Sequence, residues 1–119
     1  MIYTGYYALI NKYEKDGLTC IGISGRAPSF FDGLMYSDFA PRWEMFKRWK
    51  EGKITNEGYI KEYLEYLNTL NKEKIKEDFN NLDNVILLCY EKEGFCHRHI
   101  LARWLKENFE YNVEEYKYD

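Results

Sequence analysis

The chain has 119 residues, of which 45% are hydrophobic and 31% are charged, a composition that predicts one globular domain with a modest core. Its net charge of −3 argues against extensive nonspecific binding to nucleic acid, which needs a large basic surface. No apolar stretch approaches about eighteen residues, the length that crosses a membrane. We expect a cytoplasmic protein with no signal peptide and with free thiols at Cys20, Cys89 and Cys96.

The first third of the chain predicts two strands and an apolar loop. Residues 2–7 resemble a strand, and residues 19–23 predict a second strand that ends in the polar turn Ser24-Gly25-Arg26. The loop over residues 25–40 carries the apolar side chains Phe30, Phe31, Met35 and Phe39. Such a loop either folds onto the core or forms a lid over a pocket.

The middle of the chain predicts three helices. Pro41 suits a helix start, and Trp43, Phe46 and Trp49 follow it at helical spacing. After Gly52, Thr55 is a candidate cap for a second helix. The apolar side chains of this second helix recur at helical spacing; they are Tyr59, Ile60, Tyr63, Leu64, Leu67 and Leu70. The same spacing predicts a shorter third helix with Ile75, Phe79 and Leu82 on its apolar face.

Residues 84–105 combine a buried strand with an amphipathic helix. The unbroken apolar run over residues 85–88 is typical of a parallel strand that is covered on both faces. The helix begins near Cys96-His97-Arg98-His99 and packs through Ile100, Leu101, Trp104 and Leu105. A short last strand is expected within residues 112–116, which completes an α/β fold with a short, mostly parallel sheet flanked by helices.

The start of this last helix is the best candidate for chemistry. Arg98 would add a planar guanidinium to the unpaired N–H groups there, which favours an anion site; the alternative is a structural arginine paired with Glu91, Glu93 or the C-terminal carboxylates. His97 faces inward, either as a buried donor to a backbone carbonyl or as a ligand or acid–base group. Cys96 is either a nucleophile activated by its position or a small buried residue that caps the helix.

A metal site is a further alternative at this helix start. Cys20, Cys89, Cys96, His97 and His99 are all possible ligands. Near-adjacent ligands at a helix start point in different directions, and His99 should face solvent. No C-x-x-C pair or H-x-x-x-H repeat makes them converge on one ion, so we predict no metal and no cofactor.

Several segments together resemble the domain of unknown function 488 family. Its C-terminal signature is similar to Leu88-Cys89-Tyr90-Glu91-Lys92, then Phe95-Cys96-His97-Arg98-His99, then Ala102, Trp104 and Leu105. One branch of the family also resembles the first part of the chain in the order and spacing of its residues. The similar segments are Tyr3-Thr4-Gly5-Tyr6-Tyr7; Ile21, Ile23, Ser24 and the Gly25 turn; Ala27-Pro28; and Leu34-Met35-Tyr36 followed by Ala40-Pro41 and Trp43. The resemblance covers most of the chain and implies a small Rossmann-like three-layer domain. It implies no reaction.

The two polar strand ends point to one shared pocket, because ligands of open parallel sheets bind beyond the carboxyl ends of the strands. The predicted ligand-binding residues are Ser24, Gly25, Arg26, Tyr90, Glu91, Cys96, His97 and Arg98, and one ring of Tyr7, Phe30, Trp43 or Tyr90 is expected to stack on a base. We therefore expect a sensor or a sequestering protein for an anionic nucleotide-like molecule, of the ADP-ribose or cyclic-nucleotide type. The alternatives are an enzyme that acts on such a substrate through Cys96 and His97, and a protein-interaction module.

Overall fold

Residues 1–117 are described by a computed structural model. In chain order they form β1 (Ile2–Tyr6), α1 (Ile10–Lys15), β2 (Thr19–Gly22), β3 (Leu34–Met35), α2 (Trp43–Lys50), α3 (Asn56–Leu67), α4 (Lys72–Asn80), β4 (Val85–Cys89), α5 (His97–Phe109) and β5 (Val113–Glu115). Short 3₁₀ turns cover Tyr7–Leu9 and Ser37–Phe39. The strands form one parallel sheet in the order β3-β2-β4-β1-β5.

Side chains of the central strand alternate between two hydrophobic cores. Val85 and Leu87 pack in the larger core with the buried faces of α2, α3, α4 and α5. Ile86 and Leu88 pack on the opposite face of the sheet with Tyr13 of α1. Every residue of β4 is buried, which explains why its apolar run does not alternate. The fold is therefore the predicted small α/β domain of three layers.

Most of the predicted elements are confirmed. Thr55 caps α3 as predicted, because its Oγ1 accepts a hydrogen bond from the Gly58 N–H at 3.0 Å. The sequence reading missed α1 and also the two-residue edge strand β3, which lies inside the apolar loop. Phe31 and Phe39 of that loop are buried, so the loop folds onto the core rather than standing over the pocket as a separate lid.

Two details of the helices differ from the prediction. The buried residue of α2 is Met45, whereas Trp43 is 72% exposed. Leu82 follows the end of α4 and is exposed. No helix among residues 1–117 combines the length and the apolar character needed to cross a membrane.

Candidate functional site

A cavity of about 850 Å³ opens at the carboxyl ends of β2 and β4. These two strands are parallel neighbours, so the polar turns that follow them meet at one edge of the sheet. We call this space the strand-end cavity. Its lining consists of Ser24, Gly25, Arg26, Pro41, Trp43, Phe46, Lys50, Cys89, Tyr90, Glu91 and His97.

Hydrogen bonds to one backbone carbonyl hold the two turns together. The Arg26 carbonyl accepts from the Ser24 hydroxyl at 2.8 Å and from the Tyr90 hydroxyl at 2.6 Å. Ser24 has only one proton to donate, so the Tyr7 hydroxyl donates to Ser24 Oγ across 2.7 Å. The turn that carries Arg26 is thus fixed to both strand ends, while the Arg26 side chain is exposed.

The rim of the strand-end cavity is basic and aromatic. Among residues 1–117, neither Arg26 nor Lys50 forms an ion pair with a carboxylate. Trp43 stacks against Phe46 with 5.9 Å between ring centroids, and Tyr90 is 49% exposed. Glu91 adds a carboxylate to the lining.

His97 forms part of the cavity wall and is neutral at physiological pH. Its Nε2 lies 2.7 Å from the Ile23 carbonyl oxygen, and because a carbonyl only accepts, Nε2 carries the proton and Nδ1 keeps its lone pair. Burial lowers the pKa of His97 to about 4; the Ile23 hydrogen bond opposes this shift and the Arg98 charge adds to it. The predicted buried histidine that donates to a backbone carbonyl is confirmed, and His99 is exposed as expected.

Arg98 lies behind the strand-end cavity and is 1% exposed. Its Nε and Nη2 donate to the two carboxylate oxygens of Glu115 at 3.0 and 2.9 Å. Its Nη1 donates to Cys89 Sγ and to the Glu91 carbonyl, and Nη2 also donates to the Lys92 carbonyl. All five N–H groups of the guanidinium therefore have acceptors. This geometry matches the structural alternative predicted for Arg98, a pair with a C-terminal carboxylate. It leaves no N–H group of Arg98 for a ligand.

The expectation of three free thiols is wrong for two of the cysteines. Cys89 and Cys96 are joined by a disulfide, and Cys20 is free and buried. The reason is the parallel architecture: Cys89 ends β4, and Cys96 precedes the first residue of α5, so the loop between them returns the chain to the same sheet edge. In the disulfide form Cys96 has no thiolate, and its predicted role as a nucleophile requires reduction.

A protein-family comparison identifies the chain. The family model described as the active DUF488-N3 subclade, DUF488-N3a, matches residues 7–109. The chain belongs to the DUF488 family. No curated protein and no solved structure matches it.

In the DUF488 signature, possible metal ligands lie closer together than the spacing of the sequence predicts. One sulfur of Cys89, one sulfur of Cys96 and one imidazole nitrogen of His97 all lie within 4.8 Å of one another. The distance from Cys96 Sγ to His97 Nδ1 is 4.0 Å. The spacing argument applies to neighbouring ligands at the helix start, whereas Cys89 enters from the end of β4.

The strand-end cavity of this DUF488 domain contains six of the eight predicted ligand-binding residues: Ser24, Gly25, Arg26, Tyr90, Glu91 and His97. Cys96 and Arg98 are absent from the lining. Of the candidates for stacking, Trp43 and Tyr90 line the cavity, whereas Tyr7 is buried and neither Tyr7 nor Phe30 belongs to the lining. The sequence reading missed Pro41, Phe46, Lys50 and Cys89. The spacing of Trp43, Phe46 and Lys50 over two turns of α2 is a signal that could have placed them on one face.

Proposed function

We propose that this DUF488 domain binds an anionic, nucleotide-like small molecule in the strand-end cavity. The observation that carries the proposal is that Arg26 and Lys50, two cationic side chains without acidic partners among residues 1–117, border the same cavity as exposed aromatic rings. A volume of about 850 Å³ lies within the range of roughly 300 to 1,000 Å³ that is usual for small-molecule sites.

The basic side chains supply the proposed affinity for an anion. A guanidinium offers parallel N–H donors that match a phosphate, whereas an ammonium acts as a point charge. The Lys50 Nζ lies 5.7 Å from the ring centroids of Phe46 and Trp49, which keeps it on the aromatic side of the cavity. Since the whole chain carries a charge of −3, the proposed attraction is local to this rim.

The aromatic side chains supply the proposed preference for a base. Trp43 presents an indole that is 72% exposed, and an indole is normally covered because it buries a large apolar area. Stacking of a base on an aromatic side chain contributes about 1–3 kcal/mol. Glu91 provides an acceptor for ribose hydroxyl groups, a role that acidic residues fill in dinucleotide-binding folds.

Binding without turnover, in a sensor or a sequestering protein, is the form of the proposal that needs the fewest groups. The second candidate is an enzyme that acts on the same ligand, and it is favoured by the proximity of Cys89, Cys96 and His97. The word "active" in the description of the subclade also supports it. That candidate requires the reduced cysteines, the form expected in the cytoplasm that we propose as the compartment.

Native mass spectrometry with a panel of mononucleotides, dinucleotides, cyclic nucleotides and ADP-ribose tests the proposal. We expect a retained ligand whose affinity falls about tenfold or more in Arg26→Gln and in Lys50→Gln, because a hydrogen bond to a charged group contributes about 1.5–3 kcal/mol. Lys47→Gln is the matched control, since Lys47 lies on α2 outside the strand-end cavity. Equal losses in all three variants, or no binding across the panel, would refute the proposal.

A further inference from the structure

We propose that Cys89 and Cys96 form a redox-active pair that undergoes thiol–disulfide exchange with a disulfide-bearing molecule in the strand-end cavity. Cys89 is the attacking thiolate, and Cys96 is the resolving cysteine. This reverses the role predicted for Cys96 from the sequence. The thiol chemistry goes beyond the proposed function, and only the preference for an anionic partner rests on it.

Access distinguishes the two sulfurs. Cys89 belongs to the lining of the strand-end cavity, and Cys96 does not. Both residues are otherwise buried, so the cavity is the route by which a reagent reaches the pair. An incoming molecule meets Cys89 first, at the end of β4.

Arg98 favours the thiolate form of Cys89. The guanidinium Nη1 donates to Cys89 Sγ at 3.1 Å, and a hydrogen bond from a cationic group stabilises a thiolate over a thiol. Glu115 compensates the charge of Arg98, but it occupies the Nε and Nη2 edge. The Nη1 donor that contacts sulfur therefore stays directed at Cys89.

Cys96 has the position of a resolving cysteine. It lies close enough to Cys89 to form the disulfide. The nearest imidazole atom, His97 Nδ1, belongs to a ring that is neutral at physiological pH, so it lacks the positive charge that would activate Cys96 ahead of Cys89. Once Cys89 is bonded to a substrate sulfur, Cys96 is the adjacent thiol that can displace it.

The exchange proceeds in two balanced steps. The Cys89 thiolate attacks one sulfur of a disulfide R–S–S–R, forms Cys89–S–S–R and expels one R–S⁻. The Cys96 thiol then releases its proton to solvent, and its thiolate attacks Cys89 Sγ and expels the second R–S⁻. Overall the protein dithiol is oxidised to the Cys89–Cys96 disulfide, and one substrate disulfide is reduced to two thiols.

The test uses the reduced 119-residue chain with two aromatic disulfides, the dianion dithiobis(nitrobenzoate) and the neutral dithiodipyridine. All proteins carry Cys20→Ser, because Cys20 is the remaining thiol; burial raises its pKa to about 11, so its removal leaves the proposed reaction intact. We expect two released thiols and no retained adduct from the Cys20→Ser protein. Adding Cys96→Ser should give one released thiol and a mixed disulfide on Cys89, and adding Cys89→Ser should slow the reaction more than tenfold.

Peptide mapping of the unsubstituted protein after brief alkylation by iodoacetamide covers the case in which a variant fails to fold. Alkylation of Cys89 before Cys96 supports the proposal, and alkylation of Cys96 first overturns it. Fast reaction of the Cys89→Ser protein also overturns it. Stoichiometric zinc in the purified reduced protein would overturn it as well if the zinc must be chelated before any thiol reacts. Cys89, Cys96 and His97 would then form a metal site.

The two disulfides separate this inference from the proposed function. Reaction at Cys89 with both reagents at similar rates supports the dithiol pair and counts against an anion-selective cavity. A rate preference for the dianion that is lost in Arg26→Gln supports both. A preference for the dianion without any dependence on Cys89 overturns the dithiol pair alone.

Discussion

Replacing Glu115 by alanine should destabilise the domain strongly, although Glu115 is neither apolar nor in the centre of the core. Its two carboxylate oxygens accept hydrogen bonds from Nε and Nη2 of Arg98, and Thr4 Oγ1 donates to the same carboxylate. In Glu115→Ala the guanidinium stays buried with two N–H groups unpaired and its charge uncompensated. The bonds from Arg98 to Cys89, Glu91 and Lys92 remain.

The size of the effect follows from the burial of the two partners. Breaking a buried ion pair by removing one partner costs about 3–5 kcal/mol. The Glu115 side chain is 32% exposed, so water can enter the vacated space, and we expect the lower end, about 3 kcal/mol. For a domain of this size such a loss lowers Tm by roughly 12 °C.

Urea unfolding followed by circular dichroism measures this loss, and Glu114→Ala is the matched control. Glu114 is the exposed neighbour on β5, so its removal changes the net charge equally and should alter the free energy of unfolding by less than about 0.5 kcal/mol. A loss below about 1 kcal/mol in Glu115→Ala, or equal losses in both variants, would show that Arg98 is not the buried structural cation described above.

Three further predictions concern pH, packing and binding. The native pKa of His97, about 4, lies below the unfolded value of about 6.5. Its contribution to stability is therefore fully present above about pH 6.5 and is lost as the pH falls toward 4. In urea unfolding, the free energy of unfolding should fall between neutral pH and pH 4 by about 3 kcal/mol less in His97→Gln than in the unsubstituted protein. In His99→Gln most of that fall should remain. An added Cβ at Gly22 would lie 2.5 Å from the Tyr7 hydroxyl, whereas one at Gly25 meets no atom within 4 Å; thermal melting should show Gly22→Ala destabilised by about 1–3 kcal/mol and Gly25→Ala almost unchanged. Trp43→Ala should leave Tm nearly unchanged yet weaken nucleotide binding by about 1–3 kcal/mol in calorimetry; a lowered Tm would mean that the indole serves the fold instead.

Local patterns in the sequence were sufficient to predict the sheet and its polar edge. The unbroken apolar run of β4 and the helical spacing within α5 are short-range signals. The carboxyl ends of neighbouring parallel strands must meet at one edge of the sheet, so Ser24, Arg26 and Tyr90 could be assigned to a shared pocket from the sequence alone.

The partners of the buried charge could not be predicted individually, because they depend on long-range packing. Glu115 reaches Arg98 only because β5 pairs with β1, and nothing in the sequence distinguishes it from the other C-terminal carboxylates. The same holds for Cys89 and Cys96, whose approach depends on the path of the loop from β4 to α5. Edge strand β3 has two residues, which is too short for an alternating pattern to be visible.

The most direct test of the proposed site is a nuclear magnetic resonance titration with the tightest ligand from the nucleotide panel. It follows the indole N–H groups of the tryptophans and the Nε–H groups of the arginines. The account predicts shifts of Trp43 and Arg26 that saturate together, while the buried Trp104 and Arg98 stay unchanged. Shifts confined to Arg42 and Arg48, which line a separate cleft beside α3, would contradict it.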